Sequence, residues 1–396
     1  MSDTPQVVVI GAGVIGTSIA FRLAQDGYPV TMLDRGGIGA GTSSTCDKAI
    51  VLQSKRPGPH LGLALASRAC FDTLEEELDA TLEFDRSGGM IVIDDSQHLP
   101  HMQQHVERQR QEGVDVTLLD RDSARAHQPL LSPDILGAAY SPDDAEVNPL
   151  LLNQAFGRAA MRAGAQALLH TPVIEITSSH GHVTGVLTSQ GHLRADVVIN
   201  ATGPFAAELS ATVGVPLPIT PRRGVILIGE SMAPAVRGVV LCTHYVLAKQ
   251  STATETSNAP AHGIGLALGQ TEAGNPLIGS SREFVGFQTD VPHNVICGIA
   301  AHATHVAPEL RSVRVIRSMV GFRPSTPDGM PVISAVPGLE GYIVAAGHEG
   351  DGIALSPLTG LMVRDLLNGG GQTHHLLADV SLLRFPDPAT SQAHQR

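Results

Sequence analysis

The stretch Val7-Val8-Val9-Ile10-Gly11-Ala12-Gly13-Val14-Ile15-Gly16, followed by Val30-Thr31-Met32-Leu33-Asp34, decides the fold. Four consecutive β-prone apolar residues specify a short buried strand. The strand runs into Gly-x-Gly-x-x-Gly and then into an apolar-periodic helix carried by Ile15, Ile19, Ala20 and Leu23. Each glycine has its own task. Gly11 permits the tight turn, Gly13 lets the backbone approach a pyrophosphate, and Gly16 lets the helix pack on the strand. The N-terminus of the helix, at Val14 and Ile15, then offers free N–H groups and the positive end of its dipole to phosphate. Asp34 lies 21 residues beyond Gly13 at the end of a second strand. There a carboxylate can take both hydroxyls of a ribose, and its charge argues against a 2′-phosphate. The pattern therefore predicts a dinucleotide site in an α/β, Rossmann-like domain.

Composition bounds what surrounds that site. The 396 residues suit two domains, each with its own core, and 42% hydrophobic with 16% charged residues is a globular composition. A net charge of −12 disfavours nucleic acid and anionic membrane as partners. Trp is absent and aromatics are 3%, so aromatic stacking on a ligand must be sparse. Cys46, Cys70, Cys242 and Cys297 are far apart and form no Cys-x-x-Cys, which suits reduced thiols of a cytoplasmic protein. Met1–Pro5 has no basic targeting character, and no apolar run is long enough to cross a bilayer. A cytoplasmic location is expected, with a peripheral role at a membrane left open.

Along the chain, helices are expected at Val14–Gln25 (closed by Gly27), Leu61–Leu82, Pro100–Glu112, Leu150–Ala163 and Leu355–Leu367. Gly88–Ile93 reads as a turn into a strand, and Val173–Ile176 with Val183–Thr188 as a hairpin-like pair around Gly181. Short apolar stretches broken by Gly and Pro over 220–320 suggest an antiparallel sheet, and the polar tract Gln250–Pro260 a loop or lid. A strand ending in Asn200-Ala201-Thr202-Gly203 has the small residues that let backbone come close to a ligand. Two further segments, Gly321–Pro331 and Gly347–Ile353, are dense in Gly, Pro and polar groups between apolar runs, as rigid loops at sites tend to be. On residue type alone, Arg323 reads as a surface or ion-pair arginine rather than a ligand clamp.

These four motifs, in this order along nearly the whole chain, resemble the FAD-dependent D-amino-acid oxidase superfamily. The resemblance is strongest to glycine oxidase, to sarcosine oxidase β-like proteins, and to the catalytic subunits of opine oxidase, hydroxyproline dehydrogenase and hydrogen cyanide synthase. Gly41–Ala49, Leu52–Gly58 and Leu277–Phe284 carry the likeness to the last group. The resemblance implies a discontinuous FAD-binding domain over 1–90, 145–215 and 320–396. A mixed, mostly antiparallel-sheet substrate domain would occupy 91–144 and 216–319. It also implies roles for residues at matching positions. Gly11, Gly13, Val14, Ile15 and Gly16 would hold the pyrophosphate, with Asp34 and Arg35 at the adenosine ribose. Thr42, Ser43 and Ser44 would touch phosphate or the flavin edge, and Val173 the adenine. Ala201, Thr202 and Gly203 would back the pyrophosphate. Gly347, Gly350, Asp351, Gly352 and Ile353 would face the isoalloxazine. Arg323 would grip a substrate carboxylate with help from Tyr245, while His348 and Lys48 would tune flavin charge or proton traffic.

The implied reaction is oxidation of the C–N bond of an amino acid or N-substituted amino acid by hydride transfer to flavin N5. The resemblance leaves open oxidase against dehydrogenase, and the chain reads as a β-type subunit passing electrons to α/γ partners or a quinone. An FAD-retaining scaffold subunit is the alternative. Departures from the pattern are informative. Phe205 stands where Trp is frequent, and Gly350 where glycine oxidase has an arginine. Gly321 replaces the cysteine that binds flavin covalently in some sarcosine oxidases, so non-covalent FAD is expected. Cys46 is read as a small packed thiol. No metal is expected: His98, His101 and His105 share a helix face but read as a solvated polar surface, and His302 and His305 as surface or satisfied core.

Overall fold

The computed structural model describes residues 4–250 and 261–386. Val7–Ile10 lies inside a six-stranded sheet, parallel to Val30–Leu33 on one side and to Val197–Asn200 on the other. Gln166–Leu168 extends the first side and Tyr342–Ala346 the second, both in parallel, and Val332–Ala335 closes one edge antiparallel. The alternation of the pleat divides the apolar run between two cores. Val7 and Val9 face the helices Val14–Gln25, Pro59–Leu78, Pro149–Arg162 and Gly352–Leu367. Val8 and Ile10 face a layer that contains the three antiparallel strands Val173–Ser179, His182–Thr188 and Gly191–Arg194. Both faces are covered, which is why the strand is continuously hydrophobic. The chain leaves Val7–Ile10 toward one edge and comes back on the other side at Val197–Asn200. The sheet therefore switches order between these two strands, and their carboxyl ends open a crevice.

A second, eight-stranded sheet runs in the order Val315–Ser325, Thr220–Gly229, Pro276–Gly279, Ala267–Gln270, Val239–Cys242, Gly89–Ile93, Gly137–Ser141 and Thr117–Asp120. Every pairing in it is antiparallel except Val239–Cys242 with Gly89–Ile93. The expected boundaries at 90 and 320 fall inside two of these strands.

Region 220–320 also holds two helices that its fragmented apolar pattern hid, Thr243–Gln250 and His293–Val306. The second buries Val295, Ile299, Ala303 and Val306, a helical spacing that was available in the sequence. The helix expected to reach Leu82 stops at Leu78, where Asp79 turns left-handed at φ 49°. The tract Gln250–Pro260 lies, beyond Gln250, outside the described residues. No helix among the described residues is long and apolar enough to cross a membrane.

Candidate active site

A cavity of about 750 Å³ opens at the switch point. Gly11 turns there at φ 105°, and a Cβ on it would stand 2.5 Å from the backbone oxygen of Ala201. Only glycine lets the two strand ends approach so closely. A Cβ on Gly16 would collide with the carbonyl oxygen of Gly11, so Gly16 packs the helix on the turn and does not face the cavity. Gly13 is different: it faces the cavity, and its Cβ would meet only the Ser43 hydroxyl, at 3.2 Å. The first turn of the helix has no acidic residue and no side-chain N-cap. Ser43 Oγ accepts from the Val14 N–H (3.0 Å). Asp34 holds the turn from below, accepting from the N–H groups of Ala12 and Gly36, both at 2.7 Å.

Val14, Ile15, Asp34, Arg35, Thr42, Val173, Ala201, Thr202 and Gly203 all line the cavity. Arg35 stacks over the Phe205 ring at 4.0 Å.

The far end is built by the large sheet and the last glycine loop. Tyr245, Gly321, Arg323, His348, Glu349, Gly350, Gly352 and Ile353 reach it. Arg323 is half-buried in the wall. Its Nη1 donates to Ser281 O (3.1 Å) and its Nη2 to Ser280 Oγ (3.3 Å). Gly224 leaves the guanidinium room, since any Cβ there would overlap it. His348 is buried, and burial lowers its pKa to about 4, leaving a neutral ring at physiological pH. Thr359 Oγ1 donates to Leu355 O, so His348 Nε2, 3.0 Å away, carries the hydrogen that Thr359 accepts. Cys46 lines the wall with its Sγ 3.2 Å from Ser43 O, and burial pushes its thiol well up, as suits a packed neutral side chain.

Several expected residues stand off the wall, each for a visible reason. Gly16 and Gly347 are packing positions: a Cβ on Gly347, which turns at φ 83°, would press on Thr326 Cγ2 at 2.7 Å. Ser44 turns its hydroxyl to Gly41 O (3.0 Å). Lys48 is drawn away to Gln270 O (3.1 Å), where its charge faces Glu146. Asp351 is held by Lys55 Nζ at 2.5 Å and His60 Nε2 at 3.0 Å.

The structure also assembles a charge cluster that sequence reading missed. Arg222 lies directly opposite Arg323 in the antiparallel register, an arrangement of like charges that costs stability by itself. Glu349 offsets it, with Oε1 3.6 Å from Arg222 Nη1 and 3.9 Å from Arg282 Nε. Arg282 is fully buried with its guanidinium 4.1 Å over the Tyr245 ring. Burial pushes Arg222 down to about 10, and burial together with the Arg282 charge lowers Arg323. Asp47, also on the cavity wall, brings a second carboxylate to bear on Arg282 and Arg323. Glu349 itself sits at φ 48°, a costly conformation for a non-glycine residue and a mark of functional sites. Only the cross-strand register could have revealed Arg222, and the positive φ of Glu349 has no signature in sequence.

The profile of the family described as "DAO: FAD dependent oxidoreductase" matches residues 6–366. The chain belongs to the DAO family. It is an FAD-dependent oxidoreductase. A glycine oxidase of Geobacillus kaustophilus is 31% identical over 395 residues, covering 97% of this chain and 98% of that protein. The hydrogen cyanide synthase subunit HcnC of Pseudomonas protegens is 28% identical, covering 91% and 92% respectively. The crystal structure of glycine oxidase from Geobacillus kaustophilus superposes with a TM-score of 0.86 at 28% identity, covering 97% of this chain and 99% of that one. The Gly11–Gly13 cradle, a helix N-terminus free of acidic side chains and a cavity of about 750 Å³ all fit an FAD.

Proposed function

We propose that this chain oxidises the C–N bond of an amino acid or N-substituted amino acid: glycine, a sarcosine-like compound, hydroxyproline or an opine. FAD, bound without a covalent link, supplies the hydride acceptor at N5. Its pyrophosphate would lie over Gly11, Gly13 and Val14 and its ribose by Asp34. Residues 1–90, 145–215 and 320–396 would form the lobe that carries it, with 91–144 and 216–319 closing over the substrate. The observation that carries the substrate reading is Arg323, a half-buried guanidinium at the cavity wall. A planar fork suits a carboxylate bidentately. Tyr245 beside it would orient the acid end. His348, neutral and hydrogen-bonded to Thr359, contributes a lone pair on Nδ1 and no charge. The site's main work is positioning the donor carbon, for which little acid–base machinery is needed. Likeness to HcnC favours a β-type catalytic subunit that hands electrons to partner subunits or a quinone. We place it in the cytoplasm.

The test is anaerobic mixing of the yellow protein with glycine, sarcosine, proline and hydroxyproline isomers, and octopine-like compounds, read as loss of the flavin band. At least one should bleach it. Losing a buried carboxylate–arginine pair costs about 2–5 kcal/mol. Arg323→Ala should therefore lower kcat/KM for that substrate by roughly 30- to 5,000-fold, and an unchanged value would remove the clamp. Rapid reoxidation by air would mark an oxidase; reoxidation by a quinone alone, a dehydrogenase. Failure of every compound to bleach the flavin would favour the alternative, a subunit that retains FAD without chemistry.

A further inference from the structure

A second cluster of chemistry-bearing side chains lies outside the cavity wall, behind the helix that carries Tyr245. Cys242 ends the strand Val239–Cys242, and His244 lies in the first turn of the helix Thr243–Gln250. The neighbouring parallel strand, Gly89–Ile93, delivers Asp94 just past its end, and the helix His293–Val306 delivers His302. Cys242 Sγ is 3.1 Å from His302 Nε2 and accepts the Leu266 N–H at 3.0 Å. One ligand atom each from Cys242, His244 and His302 lies within 4.8 Å of the other two. The His244 and His302 rings meet edge to face at 5.3 Å between centroids.

The cluster's own hydrogen bonds satisfy only part of it. Asp94 Oδ1 and His244 Nδ1 stand 3.5 Å apart, an ion-pair distance at which the hydrogen bond is loose. Both are buried without a closer hydrogen-bond partner among the described residues, as is Nδ1 of nearby His98. Buried polar atoms are rarely left so, and a bound ion or water is one arrangement that would satisfy them.

We propose that Cys242, His244 and His302 bind one Zn²⁺, with Asp94 as the carboxylate that orients His244. A thiolate with two imidazoles is a borderline-soft donor set, suited to zinc and unsuited to the all-oxygen preference of Mg²⁺ or Ca²⁺. In a tetrahedral site with Zn–S of about 2.3 Å and Zn–N of about 2.0–2.1 Å, the sulfur and a nitrogen stand roughly 3.5 Å apart. The 3.1 Å between Cys242 Sγ and His302 Nε2 needs only a small opening to match. A metal-bound histidine usually gives its other ring nitrogen to a carboxylate, the place Asp94 takes at His244. The ion would tie a strand end, a helix start and a helix distant in sequence. It would thereby fix the turn three residues before Tyr245. The histidine face weighed from the sequence is not this site, because His105 Nε2 is already bonded to Gln53 O at 2.6 Å.

Chelator-washed holoprotein, equilibrated with Zn²⁺ and freed of excess by gel filtration, should retain one zinc per chain by plasma mass spectrometry. Zinc K-edge absorption should show one sulfur and two imidazoles. Cys242→Ser and His302→Asn should each weaken zinc binding at least tenfold, with the bound-flavin spectrum serving as the check on folding. If Cys242→Ser fails to fold, His302→Asn carries the comparison. Far less than one zinc per chain in the wild type, a coordination shell without sulfur, or undiminished binding in folded His302→Asn would each overturn the site. The cluster would then be a metal-free hydrogen-bond network.

Discussion

Replacing Gly11 or Gly13 by alanine separates what the turn does for folding from what it does for the cofactor. At Gly11 the φ of 105° is strained for any side chain, about 2 kcal/mol. The new Cβ would also stand 2.5 Å from Ala201 O, whereas ordinary contact begins at 3.4 Å. Pushing that carbonyl back is overpacking of a buried turn, about 2 kcal/mol more. At roughly 2.1 cal/mol/K of unfolding entropy per residue, 4 kcal/mol lowers the midpoint of a chain this size by about 5 °C. Gly13 has φ −70°, which alanine adopts freely, and its Cβ would meet only the Ser43 hydroxyl at 3.2 Å. Gly13→Ala should therefore leave the apoprotein midpoint within about a degree of wild type. It should nonetheless weaken FAD at least tenfold, about 1.4 kcal/mol, because the methyl group enters the cavity where the pyrophosphate must approach. Thermal melts of the apoproteins and FAD titrations followed by quenching of flavin fluorescence measure both quantities. The reasoning fails if Gly11→Ala melts with wild type, or if Gly13→Ala binds FAD as tightly as wild type.

Two further outcomes follow from the same site. His348 is neutral in the fold with its pKa near 4, while an unfolded histidine takes its proton near 6.5. Below pH 6.5 protons therefore favour the unfolded chain, and stability falls as pH drops toward 4, by about 3 kcal/mol in all. His348→Gln should remove this loss, so denaturant unfolding of the two proteins should diverge between pH 6.5 and 4.5; parallel profiles would contradict it. Gly321→Cys should still release all its flavin on acid precipitation. Any Cβ at 321 overlaps Thr45 Oγ1, so the thiol must displace the wall before it can reach the cofactor. Flavin retained in the pellet would show that assumption to be mistaken.

The sequence by itself determined the dinucleotide half of the molecule. Strand, glycine turn, helix and Asp34 are close along the chain, so their geometry follows from local sterics: φ at Gly11, the bare backbone of Gly13, the absence of a side chain at Gly16. Family likeness carried the reading on to Arg323 and the last glycine loop. Tertiary structure alone decided what depends on register and on long loops closing. It set Arg222 opposite Arg323 and put Glu349 between Arg222 and Arg282. It drew Lys48 and Asp351 into pairs away from the cavity. It also brought Cys242 to His302 across 60 positions of chain. No local preference encodes such neighbours, because sheet pairing and helix packing bring them together only once the chain has paid the entropy of closing the loops between them.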